Sequence, residues 1–228
     1  MKRRYLFLII VVFAVISCRT STTEVVMSDT SFMNGDLIFV AMPSNMENPA
    51  DTADMGSAIV AATGDSNSRN YIHVAIVERS GDSLFIIDAT IKRGVARYPI
   101  DTFFTDFHNP DGTPLRFDVM RLKEQDNMEL FVSNAKRYVG QGYDLFFKPD
   151  NDMQYCSELV RNAYRINDSS YLFDEAPMNF RNPDGSFSPY WIKLFEGLGS
   201  PIPQDVMGTN PNSMSHSQLL RFVRTIVR

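Results

Sequence analysis

Three residue types could act together in this chain: a cysteine, a histidine and an aspartate. Cys156 is one of two cysteines in 228 residues and lies in the run MQYCSELVRNAY, residues 153–164. Leu159, Val160 and Ala163 are apolar at helical spacing, with Glu158, Arg161 and Asn162 between them. A helix starting there puts Cys156 in its first turn. Free backbone N–H groups and the positive end of the helix dipole favour a thiolate at such a position. The thiolate is the nucleophilic form, so covalent catalysis is one expectation. The competing reading is a buried small hydrophobe, the common fate of a free cysteine.

A thiol nucleophile needs a base. Tyr71 to Glu78 (YIHVAIVE) has the β-branched content of a strand, Ser80-Gly81-Asp82-Ser83 reads as a turn, and Leu84 to Ala89 returns. If Ser80 pairs with Ser83, His73 faces Thr90 and lies diagonal to Asp88. If Arg79 pairs with Asp82, His73 faces Asp88 directly. Both registers put the two side chains on one face within reach. A carboxylate on one ring nitrogen would hold the imidazole in the tautomer and orientation a base requires. Asp88 also ends a four-residue apolar run, an awkward place for an unpartnered charge. The competing readings are a satisfied core histidine and a solvated strand end.

The N-terminus belongs to targeting. Lys2, Arg3 and Arg4 precede an apolar stretch from Leu6 to Ile16, and Ser17 stands directly before Cys18. Residues 1–17 therefore read as a signal peptide, too short for a comfortable membrane span. The end Val15-Ile16-Ser17-Cys18 resembles a bacterial lipobox. That resemblance implies cleavage before Cys18, lipid on its sulfur and a lipid-anchored place in the bacterial cell envelope. Residues 18–34 then form the anchor and a polar tether rich in Ser and Thr. With Cys18 lipidated, Cys156 has no disulfide partner and becomes a candidate reactive thiol.

Residues 35–228 suit one domain. Of 22 basic residues, the three at 2–4 leave with the signal, so 19 face 27 acidic residues, a net of −8. With no basic block, nucleic acid is not an expected partner. His73, His108 and His216 share no ligand spacing, so neither a metal nor another cofactor is expected.

The remaining elements must position the three residues. Gly35 to Val40 reads as a turn into a buried strand, Asp54 to Ala62 as a helix closed by Gly64, and Arg93 to Tyr98 as a strand. A short helix follows Pro99, and Leu115 to Arg121 reads as another strand. Gln125 to Val139 fits an amphipathic helix closed by Gly140. Asn167 to Asn182 is loop-like, and Pro189 to Phe195 suggests a short helix. Ser215 is expected to cap a last segment that reads as helix or strand, with His216 in its first turn. Asp36 reads as a turn or capping residue, with support of the site as the alternative, and His108 as a surface loop residue.

Gly35-Asp36-Leu37-Ile38-Phe39, His73-Val74-Ala75-Ile76-Val77, Ile87-Asp88-Ala89, Tyr143-Asp144, Tyr155-Cys156-Ser157-Glu158-Leu159-Val160 and Ile202-Pro203-Gln204-Asp205-Val206 together resemble the circularly permuted, papain-like branch of the NlpC superfamily, close to the YiiX/YaeF-type amidases. Histidine, acid, then cysteine is the permuted order. The resemblance implies an α+β fold, an antiparallel sheet or small barrel with packed helices and the nucleophile at a helix N-terminus. It implies Cys156 as nucleophile, His73 as base and later acid, and Asp88 as the orienting group, where relatives often carry Glu. Tyr143 or Tyr155 is implied as a second oxyanion donor, and Ser157 and Glu158 either face substrate or cap the helix. The implied substrate is a peptidoglycan-derived peptide or another amide. A lipid acyltransferase or thioesterase on the same triad, and a non-catalytic binding lipoprotein, are the alternatives.

Overall fold

The computed structural model describes residues 32–43, 54–109, 112–149 and 151–228. The signal segment, Cys18 and most of the tether lie outside the described residues. The first half of the chain runs β1 (Leu37–Ala41), α1 (Met55–Thr63), β2 (Tyr71–Ser80), β3 (Ser83–Thr90), β4 (Gly94–Pro99), α2 (Ile100–Asp106) and β5 (Arg116–Leu122). The second half runs α3 (Met128–Lys136), β6 (Gly142–Tyr143), β7 (Met153–Gln154), α4 (Cys156–Ala163), β8 (Arg165–Asn167) and β9 (Ser170–Tyr171). It ends with β10 (Ala176–Pro177), α5 (Pro189–Leu198), β11 (Met207–Gly208), α6 (Pro211–Ser215) and β12 (Leu220–Val227).

Six strands form one antiparallel sheet in the order β12-β5-β1-β2-β3-β4. The sheet is covered on both faces, and the sequence of β1 shows why. All five residues of LIFVA are buried, so the strand has no polar alternation to spend on solvent. Leu37 and Phe39 pack with Val74, Ile76 and Ile87 against Phe131 of α3 and Leu159, Val160 and Ala163 of α4. Ile38 and Val40 pack on the other face with Ala75, Val77 and Ile86 against Ile100, Phe103 and Phe104 of α2. Leu159 is fully buried, which contributes on the order of 2 kcal/mol. A third cluster joins Ala58 of α1 to Phe147, Tyr155, Phe180, Trp191 and Phe195.

The fold is α+β with an antiparallel sheet, as expected, and several details differ. The helix expected over 125–139 is shorter, because Asn127 sits at φ +67 just before Met128 and a left-handed residue cannot lie inside a right-handed helix. The last segment is strand β12, since the edge of β5 offers unpaired backbone groups that it takes up from Leu220↔Leu122 to Val227↔Arg116. Ser215 ends α6 instead of starting the last segment, and His216 is that helix's C-cap. The loop-like 167–182 region contains the β8–β9 hairpin and β10, which pairs with β11.

Asp36 is more than a turn residue. It is fully buried and receives two bonds from the Arg121 guanidinium of β5, at 2.5 and 2.7 Å, and one from the Met33 N–H at 2.8 Å. His108 is exposed, with Nδ1 against the Thr105 carbonyl at 3.0 Å. Among the described residues no helix is long and apolar enough to cross a membrane.

Candidate active site

The β2–β3 ladder runs from Ser80↔Ser83 to Ile76↔Ile87 and stops there. This is the first of the two expected registers. Beyond the last pair, β3 continues against β4 from Asp88↔Ala96 to Thr90↔Gly94, and β2 continues against β1 at Val40↔His73. The two strands therefore part, and a side-chain bond spans the opening. His73 Nε2 lies 3.0 Å from Asp88 Oδ2. Asp88 also takes the Tyr98 hydroxyl of β4, which lies 2.9 Å from each carboxylate oxygen. A carboxylate only accepts, so Nε2 holds the proton of this bond. Nδ1 is then the nitrogen left to exchange a proton with a nucleophile.

The imidazole is held from a second side by aromatic rings. Its centroid is 4.7 Å from that of Phe107 and 6.1 Å from that of Phe103. Asp88 is fully buried and His73 nearly so. Burial by itself works against a charged ring. The charge of Cys156, the hydrogen bonds to Asp88 and Cys156, and the charge of Asp88 outweigh it and hold His73 up at about 9. Near neutral pH the ring thus favours imidazolium.

Cys156 is the first residue of α4, with Tyr155 as N-cap in extended geometry. It is a free, buried thiol. The apolar positions expected for this helix, Leu159, Val160 and Ala163, are all buried against the sheet, which fixes the helix axis and so the place of its first turn. Glu158 reaches back to that turn, where a carboxylate oxygen accepts the Tyr155 N–H at 3.3 Å. It is a capping residue and lines no part of the cavity described next. Burial pushes its carboxyl up to about 8, with Asp144 and Glu175 adding to burial against the Tyr155 N–H and Arg161.

Cys156 opens into a cavity of about 680 Å³. Tyr143, Tyr155 and Ser157 line it with the sulfur, and most of its wall is apolar, including Leu172, Phe173, Met178 and Phe180. Asp174 is the one charged residue in that lining, among the described residues. The two tyrosines differ. The Tyr155 hydroxyl accepts the Thr209 N–H at 3.1 Å. The Tyr143 hydroxyl donates to the Met55 sulfur, at 3.6 Å, a weak acceptor. Burial first, then the Cys156 charge, pushes the Tyr143 phenol well up, so it keeps its proton as a donor.

A thiol at a helix start, an imidazole from a sheet strand and a carboxylate bonded to that imidazole are groups able to carry out thiol hydrolysis. A family model described as permuted papain-like amidase enzyme, YaeF/YiiX, C92 family, matches residues 31–224. The chain belongs to the permuted papain-like amidases of the YaeF/YiiX, C92 family. A solved structure described as the metalloprotein yiiX from Escherichia coli O157:H7 aligns with a TM-score of 0.61 and 23% identity. The alignment covers 84% of this chain and 96% of that one, and at this identity it speaks to the fold. A search of curated proteins finds no match.

"Metalloprotein" describes the relative. In this chain no group of three or more His, Cys, Asp or Glu side chains that could hold a metal occurs among the described residues.

In sequence Tyr98 reads only as the end of a strand. The signal was available, because Tyr98 pairs with Ile86 while Asp88 pairs with Ala96, which puts Tyr98 diagonal to Asp88 on the same face.

Proposed function

We propose that this chain is an exported, lipid-anchored cysteine hydrolase that opens an amide bond through an acyl-enzyme. The observation that carries it is the connected set Tyr98–Asp88–His73 behind a free thiol at the first turn of α4, with that thiol opening into a substrate-sized cavity.

The Cys156 sulfur attacks the carbonyl carbon, and the carbonyl oxygen takes up negative charge. The Cys156 backbone N–H meets that oxygen at the helix start, and the Tyr143 hydroxyl serves as second donor. When the tetrahedral adduct collapses, the C–N bond breaks and His73 Nδ1–H gives its proton to the leaving nitrogen. Water then attacks the thioester and gives a proton back to Nδ1, the acid is released, and Cys156 is restored. Asp88 keeps the ring oriented through both halves.

The signal and lipobox features of residues 1–18 support export and anchoring through Cys18. The surplus of acidic residues speaks against a nucleic-acid substrate. Cell-wall peptide stems are the first substrate class for an amidase in that compartment. The apolar cavity wall favours a second reading, in which the substrate carries an acyl chain and the thioester passes to an alcohol or amine acceptor instead of water.

The test incubates the protein with muropeptides and with N-acyl amides and reads products by mass spectrometry. Cys156→Ala and His73→Ala should each abolish turnover, and iodoacetamide should label wild-type Cys156 faster than a thiol in denaturant. Retained turnover in either variant overturns the mechanism.

A further inference from the structure

Asp174 is exposed and lines the cavity that holds Cys156. Among the described residues its side chain has no hydrogen bond and no ion pair. The lining holds no lysine, arginine or histidine to balance it. The neighbouring Glu175 is paired with Arg161 of α4 at 2.9 Å, so that cation is already taken. The cavity thus carries one uncompensated negative charge beside a largely apolar wall.

This charge has a set place relative to the thiol. The segment 172–175 is fastened at three points to α4, the helix that starts at Cys156, and to its C-cap Tyr164. The Leu172 N–H donates to the Tyr164 carbonyl at 2.9 Å. The buried Phe173 ring packs on the Tyr164 ring, with centroids 5.7 Å apart. The Glu175–Arg161 pair is the third tie. Asp174 stands between the last two, so helix and carboxylate keep their spacing.

We infer that Asp174 is a specificity residue that receives an ammonium group of the substrate, while the apolar wall takes the uncharged body. The inference rests on the hydrolase reading of Cys156. A carboxylate on the ligand would be repelled by Asp174 and would find no cation in the lining. A neutral group would leave Asp174 to water. An ammonium gains an ion pair at an exposed position, where neither charge has to give up all its water. The surplus of acidic residues in the chain adds attraction at longer range. In a mostly apolar pocket the few polar groups set orientation and selectivity. The substrate class is therefore an amide with an apolar body and a primary amine.

Alkyl amides test it on the full chain at neutral pH. N-(2-aminoethyl)octanamide carries the ammonium on its amine part, and N-propyl-8-aminooctanamide carries it at the far end of its acyl part. N-propyloctanamide and N-propylnonanamide are their neutral isosteres, and N-octanoyl-β-alanine is an anionic analogue. At least one ammonium probe should be turned over about two- to fivefold more efficiently than its isostere, through KM, and about tenfold more efficiently than the anion. Added salt should shrink the preference. Asp174→Asn should abolish it, and Asp174→Lys should put the anion first. Both variants should keep the wild-type melting temperature, because the replaced side chain is exposed and unpaired. A preference that survives Asp174→Asn overturns the inference.

The same probes are titrated calorimetrically into Cys156→Ala protein, with and without Asp174→Asn, so the subsite is judged even where turnover is absent. Tighter binding of an ammonium probe than of its isostere, lost with Asp174→Asn, supports the subsite. Equal affinity within both pairs, preference for the anion, or no binding of either ammonium probe overturns it, and turnover of any amide then leaves the hydrolase reading standing. Absence of turnover with every probe, alongside ammonium-selective binding, overturns the hydrolase reading and leaves the subsite.

Discussion

The Tyr98 hydroxyl of β4 lies 2.9 Å from both carboxylate oxygens of Asp88, which pairs with Ala96 of the same strand. Asp88 is fully buried and carries the His73 contact on one oxygen, so the tyrosine supplies a second donor to a charge without water. Tyr98→Phe removes the donor and keeps the ring. It should cost about 1–3 kcal/mol of stability, the usual effect of leaving a buried acceptor short of a partner. It should also lower kcat more than it raises KM, because Asp88 touches the base and not the substrate. Chemical denaturation and steady-state kinetics check the two parts.

The pH profile of activity should have a basic limb near pH 9, where His73 gives up its proton. A hydrolase of this type needs imidazolium to protonate the leaving group, so kcat/KM falls as pH rises through that value. The same proton stabilises the fold. A histidine raised from 6.5 contributes stability that is complete below about pH 6.5 and is lost as pH rises through about 9. Asp88→Asn removes both the charge and the strongest acceptor at Nε2. The basic limb should then move down by roughly one to three pH units. An unmoved limb would take Asp88 out of the mechanism.

Glu158 should make the fold less stable as pH rises. Its folded value of about 8 lies above the ordinary 4.5, so the folded protein keeps a proton that the unfolded chain has released. The benefit is full below pH 4.5, declines between 4.5 and 8, and is gone above that range. Glu158→Gln copies the neutral acid and retains an oxygen for the Tyr155 N–H. Melting temperatures of the variant should therefore change less than those of wild type across that interval.

Arg121 and Asp36 join β5 to the turn before β1. Both are buried, and Asp36 has no solvent contact at all. Arg121→Leu leaves that carboxylate in the core without its cation and should cost about 3–5 kcal/mol. Replacing both together, as Asp36→Asn with Arg121→Leu, should recover a large part of the loss. Urea unfolding of the two variants measures the difference.

Much of the site was legible in the chain because it rests on local patterns. The spacing of Leu159, Val160 and Ala163 forces one face of α4 onto the sheet, and this places Cys156 in the first turn. The turn at Gly81 allows Ser80 to pair with Ser83 or Arg79 with Asp82, and in both registers a period of two puts His73 and Asp88 on one face. What strand counting missed is that β2 and β3 part beyond Ile76 and Ile87. A pairing rule describes paired strands, and the His73–Asp88 bond lies where pairing has ended. Tyr98 was within reach of the same rule applied to the next hairpin. The role of Asp36 was not, because its partner Arg121 lies 85 residues away in the chain.

The sequence by itself determined the candidate chemistry: a cysteine at the start of an amphipathic helix, a histidine and an acid on one face of a hairpin, and the helical and strand periods that carry them. Only the tertiary structure decided the surroundings. It bound Tyr98 to Asp88, turned Glu158 to the helix start and took the Tyr155 hydroxyl for Thr209. It also set Asp174 in the lining of the cavity that holds Cys156. The physical reason is range. Hydrophobic period and turn chemistry act over a few residues. Which buried polar group finds which partner depends on elements that meet only when the whole chain has folded.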